Sequence, residues 1–255
     1  MDRRPVGQRT VQTDGKCRDC ERRGVDWKKN KRTESEDTLK LISEMGEPWK
    51  GQDAYIVAAG ASAGLIDPSF FDDKHTIGIN EVYTRFPGLD IYIRKEDDPN
   101  ADAVANIRKL GGVVVVSEYV AGYMGRDRRR NKDGDYYFKH SGNELTSFDW
   151  FLATQPDYLI VSWSTITSGM HLAQRLGARN IILVGHDCCL LDGQATFKGY
   201  PKPIMAMDNY KRWLSQIQEQ TIQVRSFLKR MYGVQVYSLN PFVSIDLEGH
   251  QVTHE

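Results

Sequence analysis

The chain has 255 residues, 40% of them hydrophobic and 27% charged, with equal numbers of acidic and basic side chains. Enough apolar material is present for one large core. No run approaches the roughly 18–20 apolar residues of a membrane helix, and no apolar leader follows Met1. Four cysteines argue against a disulfide scaffold and for a reducing, cytoplasmic setting.

Charge is unevenly placed. Residues 1–32 hold 11 Lys/Arg against 5 Asp/Glu, which leaves a basic arm on a mildly acidic body. Residues 1–35 show no helical or strand period and are expected to form a poorly ordered arm. A solvated arm, or one that touches nucleic acid or an anionic surface, fits that charge. Within the arm, Cys17-x-x-Cys20 is half of a zinc site, and no second C-x-x-C or His pair completes it. Only Cys188 and Cys189 could do so, by a fold-back of the arm, so no metal site is assigned.

A short helix and linker are predicted over 36–52, with Leu39, Ile42 and Met45 at three-residue spacing. From residue 53 short apolar runs alternate with amphipathic segments, the signature of βαβ units. The runs predict strands at Ala54–Ala59, His75–Gly78, Leu89–Ile93, Val113–Ser117, Tyr158–Val161, Ile181–Val184 and Val234–Leu239. They are β-branched or aromatic, as strands covered on both faces should be. Helices are predicted at Asn80–Phe86, Ala101–Leu110, Thr167–Leu176 and Asp208–Tyr232. Ala121–Phe148 breaks the alternation and reads as a long charged loop insertion. The fold class expected is a single three-layer α/β/α domain with a mostly parallel sheet.

In such a sheet, ligands bind beyond the carboxyl ends of the strands, so small and polar residues there are the candidates. Gly60, Ala61 and Ser62 follow the first strand, where small residues let the backbone approach a phosphate, or simply make a compact turn. Asn80 ends the second strand as a ligand amide or a helix N-cap. Thr165, Thr167, Ser168 and Gly169 open a helix after the Tyr158–Val161 strand and can hold an anion or cap that helix. Gly185-His186-Asp187 ends the next strand. His186 is the candidate general base. Asp187 is the candidate for a ribose hydroxyl, a metal or a catalytic water, or orders the neighbouring loops. Arg126, Arg128, Arg129 and Arg130 are a candidate clamp for phosphates or a polyanionic acceptor, or a solvated charge run.

Ile56-Val-Ala-Ala-Gly-Ala-Ser-Ala-Gly64, with Gly78-Ile-Asn80, resembles a "GxGPSL…(V/C)N" opening. Thr167-Ser-Gly169, Leu176-Gly-Ala178 and Ile181–Asp187 resemble its second half, and Tyr237-Ser-Leu-Asn-Pro241 its closing strand. The pattern is shared by bacterial family-42 sialyltransferases, the domain family of archaeal 6-hydroxymethylpterin diphosphokinases, and phage-encoded proteins of unassigned function. The resemblance implies a Rossmann-like fold with Gly60, Ser62, Asn80, Ser168, Gly169 and Asp187 around a nucleotide. It implies a nucleotide sugar as donor, or ATP with Mg²⁺; a nucleic acid or anionic glycan as acceptor would give the basic arm a purpose. A homo-oligomer is compatible with it. Ala61 and Gly64 replace the pattern's Pro and Leu. The catalytic His of the sialyltransferases has no counterpart in Asp192–Met207, where Lys198 and Tyr200 stand instead.

Overall fold

The computed structural model describes residues 39–95, 102–118, 131, 133–143, 147–201 and 207–239. The basic arm with Cys17 and Cys20, and Arg126, Arg128, Arg129 and Arg130, lie outside the described residues.

The strands are β1 (Lys40–Leu41), β2 (Asp53–Val57), β3 (His75–Ile79), β4 (Ile91–Arg94), β5 (Val113–Ser117), β6 (Tyr136–Asn143), β7 (Ser147–Phe148), β8 (Tyr158–Ile160), β9 (Asn180–Val184) and β10 (Gln235–Ser238). The helices are α1 (Ala103–Lys109), α2 (Thr165–Arg175) and α3 (Met207–Tyr232). The sheet runs β1-β6-β5-β4-β3-β2-β9-β10, and β7 and β8 both pair with β6. Every pairing is parallel except β6 with β7. The expected α/β/α class, with a mostly parallel sheet, is what forms.

The alternation along each strand sorts residues to two faces. Ala54, Ile56, Ile77, Ile79, Ile181 and Leu183 form one core with Met170 and Leu172 of α2 and Val224, Phe227 and Leu228 of α3. Val57, Tyr92, Val114, Val116 and Val184 form the other core, with Ile107 of α1, with Phe71 and Val82 from 3₁₀ turns and with Phe86 just beyond one. Burial on both faces is why these strands read as continuous apolar runs. In α3 the buried Leu214, Ile217, Thr221, Val224, Phe227 and Leu228 make the inward stripe, while Met231 is half exposed. Gly233, at φ 72°, stops the helix as a left-handed cap. No helix among the described residues is long and apolar enough to cross a membrane.

Strand order fixes where a site can form. From β2 the chain adds β3, β4, β5 and β6 outward on one side. It then crosses back along α2 to lay β9 on the other side of β2. The reversal falls between β2 and β9, in register from Asp53↔Asn180 to Val57↔Val184. Open α/β sheets bind ligands at the carboxyl rim of such a reversal.

Three segments differ from the sequence expectation. Residues 40–45 form β1 and a 3₁₀ turn over Ile42–Met45 rather than an α-helix; a three-residue apolar spacing is the period of the tighter helix. Asn80–Thr84 is likewise a 3₁₀ turn. Inside Ala121–Phe148 stands β6, joined to β5 through Val115↔Tyr136, Val116↔Tyr137 and Ser117↔Phe138. Phe138 is fully buried. The Asp135 carboxylate steadies the entry by accepting from Val114 N at 2.7 Å. The charged residues before it and the polar Lys139-His-Ser141 run mask the strand in the sequence.

Candidate functional site

The turn after β2 and the turn after β9 are built against each other. Gly60 N donates to Gly185 O at 2.7 Å and Ala58 N to Val184 O at 2.8 Å. A Cβ on Gly60 would lie 2.3 Å from Gly185 O, so only glycine fits this crossing. Gly185 has φ 65°, and a Cβ there would be 2.5 Å from Ala58 O. Asp187 is buried. Its Oδ2 accepts from Ser62 N at 2.8 Å and its Oδ1 from Ser62 Oγ. On the far end of the same 3₁₀ turn, Arg85 Nη2 donates to Gly64 O at 2.8 Å and Ile66 O at 3.0 Å. Gly60, Ala61, Ser62 and Asp187 are therefore one unit, in which the Asp187 carboxylate fixes the Ser62 N–H and hydroxyl.

Beside it, Asn80 leaves β3 at φ 54°, a left-handed conformation in which Asn is the side chain best tolerated after glycine. Its amide makes no hydrogen bond among the described residues and does not cap the following turn. Glu81, next in the chain, is buried and accepts from the Tyr200 hydroxyl at 2.7 Å. The segment after β9 thus folds back over the rim, held also by Phe197 N donating to Ala59 O at 3.0 Å. Cys188 and Asp192 in this segment have φ 48° and 49°. Side chains with Cβ at positive φ gather here, on one rim, a placement associated with functional sites. Lys198 is exposed.

The hydroxyl-rich turn at the start of α2 lies on the same rim, but its side chains face inward. Ser164 caps the helix, its Oγ accepting from Ile166 N at 3.3 Å. Thr167 Oγ1 lies 2.9 Å from Ser162 Oγ and donates to Ser164 O at 2.9 Å. Ser168 Oγ donates to Ile160 O at 2.8 Å. Thr165, Thr167, Ser168 and Gly169 are all buried, and Gly169 packs on Ile56 and Ile79. The ligand role expected of Thr167, Ser168 and Gly169 meets a turn whose polar groups already bond within the protein.

His186 is also enclosed. Its Nε2 is 2.9 Å from Thr221 Oγ1 of α3 and 3.4 Å from Cys188 Sγ. Burial pushes its pKa down to about 4, so the ring is neutral at pH 7 and is a weaker base than the sequence expectation assumed. Along the rim, Lys95 after β4 is buried and donates to Ser162 O at 2.8 Å. Burial, and then the Lys95 charge, hold His140 at about 4. Burial, and next Asp187, raise the Cys189 thiol, which disfavours it as a thiolate nucleophile. No group of three or more His, Cys, Asp or Glu among the described residues is placed to hold a metal ion.

Sequence reasoning missed Glu81 and Lys95. The signal for Glu81 was present: a carboxylate directly after the strand-ending Ile-Gly-Ile-Asn80, where a surface helix would otherwise begin. No family model matches the chain, and no curated protein matches it significantly.

Proposed function

We propose that the carboxyl rim at β2, β9 and β3 binds a nucleotide or nucleotide sugar, and that the protein is a transferase of the glycosyltransferase kind. The observation that carries the reading is the reversal of strand order at β2 and β9. A glycine-only crossing stands there, with the unengaged Asn80 amide one strand away. The resemblance of the sequence to family-42 sialyltransferases supports the same reading.

Roles follow from the geometry. Ala61, next to the Gly60 crossing whose own N–H is bonded to Gly185 O, offers backbone to a phosphate, and Asn80 a donor and acceptor to the base or sugar. Asp187 and His186 act by holding the turns in place. Lys198, and the Arg126, Arg128, Arg129 and Arg130 cluster on its charge alone, meet the leaving phosphate or an anionic acceptor. Stabilising that leaving group is the largest catalytic contribution expected. The basic arm suits a polyanionic acceptor such as nucleic acid or an acidic glycan.

The test is thermal unfolding of the full chain with CMP, UDP or ATP, each with and without Mg²⁺, together with mass spectrometry of any copurifying nucleotide. A ligand at a hundred times its Kd adds about 2.7 kcal/mol, a shift of several degrees. A shift with CMP or UDP supports sugar transfer. A shift with ATP and Mg²⁺ alone moves the assignment to diphosphoryl transfer of the hydroxymethylpterin type. No shift with any of the three overturns the reading. Salt-sensitive nucleic-acid binding without any nucleotide effect marks a non-catalytic binding module instead.

A further inference from the structure

Helix α2 runs from the carboxyl rim after β8 to the start of β9, so its second half points away from the rim. His171, Gln174 and Arg175 stand there at i, i+3 and i+4, on one side of the helix. Long helical side chains lean toward the amino end, which brings Gln174 and Arg175 back over the turn of His171. His171 is fully enclosed. Its Nε2, Gln174 Oε1 and Arg175 Nε are each sealed from solvent with no hydrogen-bond partner among the described residues. Sealed polar atoms are costly to leave unmatched, and three on one turn ask for a common explanation.

Two of the three are donors. Ile160 N donates to His171 Nδ1 at 3.1 Å, so that nitrogen carries a lone pair. Burial holds the ring's pKa well below its ordinary value, which keeps it neutral and puts its one proton on Nε2. A guanidinium Nε always bears its proton. The charge of Arg175 is also unmatched at close range. Its Nη2 donates to Ala153 O and Gln155 O at 2.7 Å each, both neutral carbonyls. No carboxylate among the described residues is within ion-pair distance of it. Burial, the foremost influence, pushes its pKa down against Tyr232 and Asp157, and Asp157 Oδ1 is turned to Ser43 N at 3.2 Å.

We propose that His171 and Arg175 form a binding site for one small monovalent anion, chloride or a halide of similar size, held by the two N–H groups. Gln174 completes it, because half a turn about its last side-chain bond exchanges the sealed oxygen for the amide NH₂, a third donor. Phe227, its ring 6.1 Å from that of His171 and covered by Trp150 at 4.9 Å, closes one side with apolar surface. In such surroundings an anion turns both N–H contacts into charge-assisted bonds. A buried water can also accept from two N–H groups and donate to one oxygen. The guanidinium without a carboxylate in contact is what favours the anion.

The experiment follows thermal unfolding of the full chain, without nucleotide, as chloride replaces gluconate at constant ionic strength. It compares the wild type with Q174E and R175Q. The wild type should gain several degrees at about a hundred times Kd and then level off. Q174E brings a carboxylate of its own, so it should unfold at a higher temperature in gluconate and lose the chloride response. R175Q should lose the response and unfold at a lower temperature. Crystals of the wild type soaked in bromide should show an anomalous peak within hydrogen-bond reach of His171 Nε2 and Arg175 Nε. A water in that position, no saturable chloride effect, or a chloride response undiminished in Q174E overturns the inference. If either variant does not fold, the wild-type titration and the bromide peak decide, and both must be positive for the inference to stand. Every one of these outcomes leaves the nucleotide reading as it was.

Discussion

The turn after β2 and the turn after β8 contain the same kinds of residue, yet the protein uses them in opposite ways. Ser62 lies in a short 3₁₀ turn, Ala61–Leu65, that distant side chains fix: Asp187 at one end and Arg85 at the other. Around β8, by contrast, Ser141 Oγ donates to Leu159 O, Ser168 Oγ donates to Ile160 O, and Ile160 N donates to His171 Nδ1. There the polar side chains stand in for a missing strand partner, as buried backbone groups require. A hydroxyl-rich helix start is therefore ambiguous until its strand is placed in the sheet. Beside a paired strand its hydroxyls are available, and beside a partly paired one they are consumed.

The sharpest way to break this comparison is at Gly60. Gly60→Val should destabilise the fold by about 3 kcal/mol or more, because its Cβ meets the backbone oxygen of Gly185 at 2.3 Å. Gly64→Ala is the control, its Cβ meeting Phe197 Cβ at 3.4 Å as its nearest neighbour, and should change stability by less than about 1 kcal/mol. Urea unfolding of both reads the difference. Equal losses would mean that the crossing is not what organises the turn.

Acid should act next most strongly. His186 has a folded pKa of about 4, below the ordinary value near 6.5. The unfolded chain therefore takes up the proton first. The stability that comes from keeping this ring neutral is fully present above pH 6.5 and is lost as pH falls toward 4, up to about 3 kcal/mol. His140 and His171 shift in the same direction. Unfolding midpoints between pH 7.5 and 4.5 should fall steadily, and His186→Gln should flatten that slope. An unchanged slope would place His186 in contact with solvent.

Ser168→Ala should cost about 1–2 kcal/mol, because Ile160 O loses its buried donor, with nucleotide affinity unaltered. A fall in affinity at unchanged stability would return the α2 turn to the ligand site. The smallest stability effect belongs to Asn80. Asn80→Gly should be near neutral and Asn80→Ala should cost about 1 kcal/mol, as a left-handed residue demands. Both should weaken nucleotide binding by the same factor, read by titration. Retained binding in either would remove Asn80 from the site.

The central strands were legible because both of their faces are covered. Val113–Ser117 was read with the boundaries it has, and the β2, β3 and β9 runs were read to within two residues at either end. Legibility failed at the sheet's margin. Tyr136–Asn143 opens on three aromatics, Tyr136, Tyr137 and the deeply buried Phe138, and then turns polar, so neither alternation nor a continuous apolar run announces its full length. Within the rim, glycines and the strand-ending Asn80 could be placed by position alone. The partners of Ser62 and Glu81 could not. The Asp187–Ser62 contact spans 125 positions in the chain and the Tyr200–Glu81 contact 119, and no local pattern encodes which carboxylate a distant turn will meet.

The side-chain stitching of β8 carries a consequence for how this protein meets its neighbours. A strand that has its outward amide and carbonyl tied to His171 and Ser168 presents no template on which another chain could extend the sheet. That protection depends on His171 Nδ1 remaining an unprotonated acceptor. Burial holds that ring's pKa well below its ordinary value, so the acceptor that closes this edge persists at neutral pH.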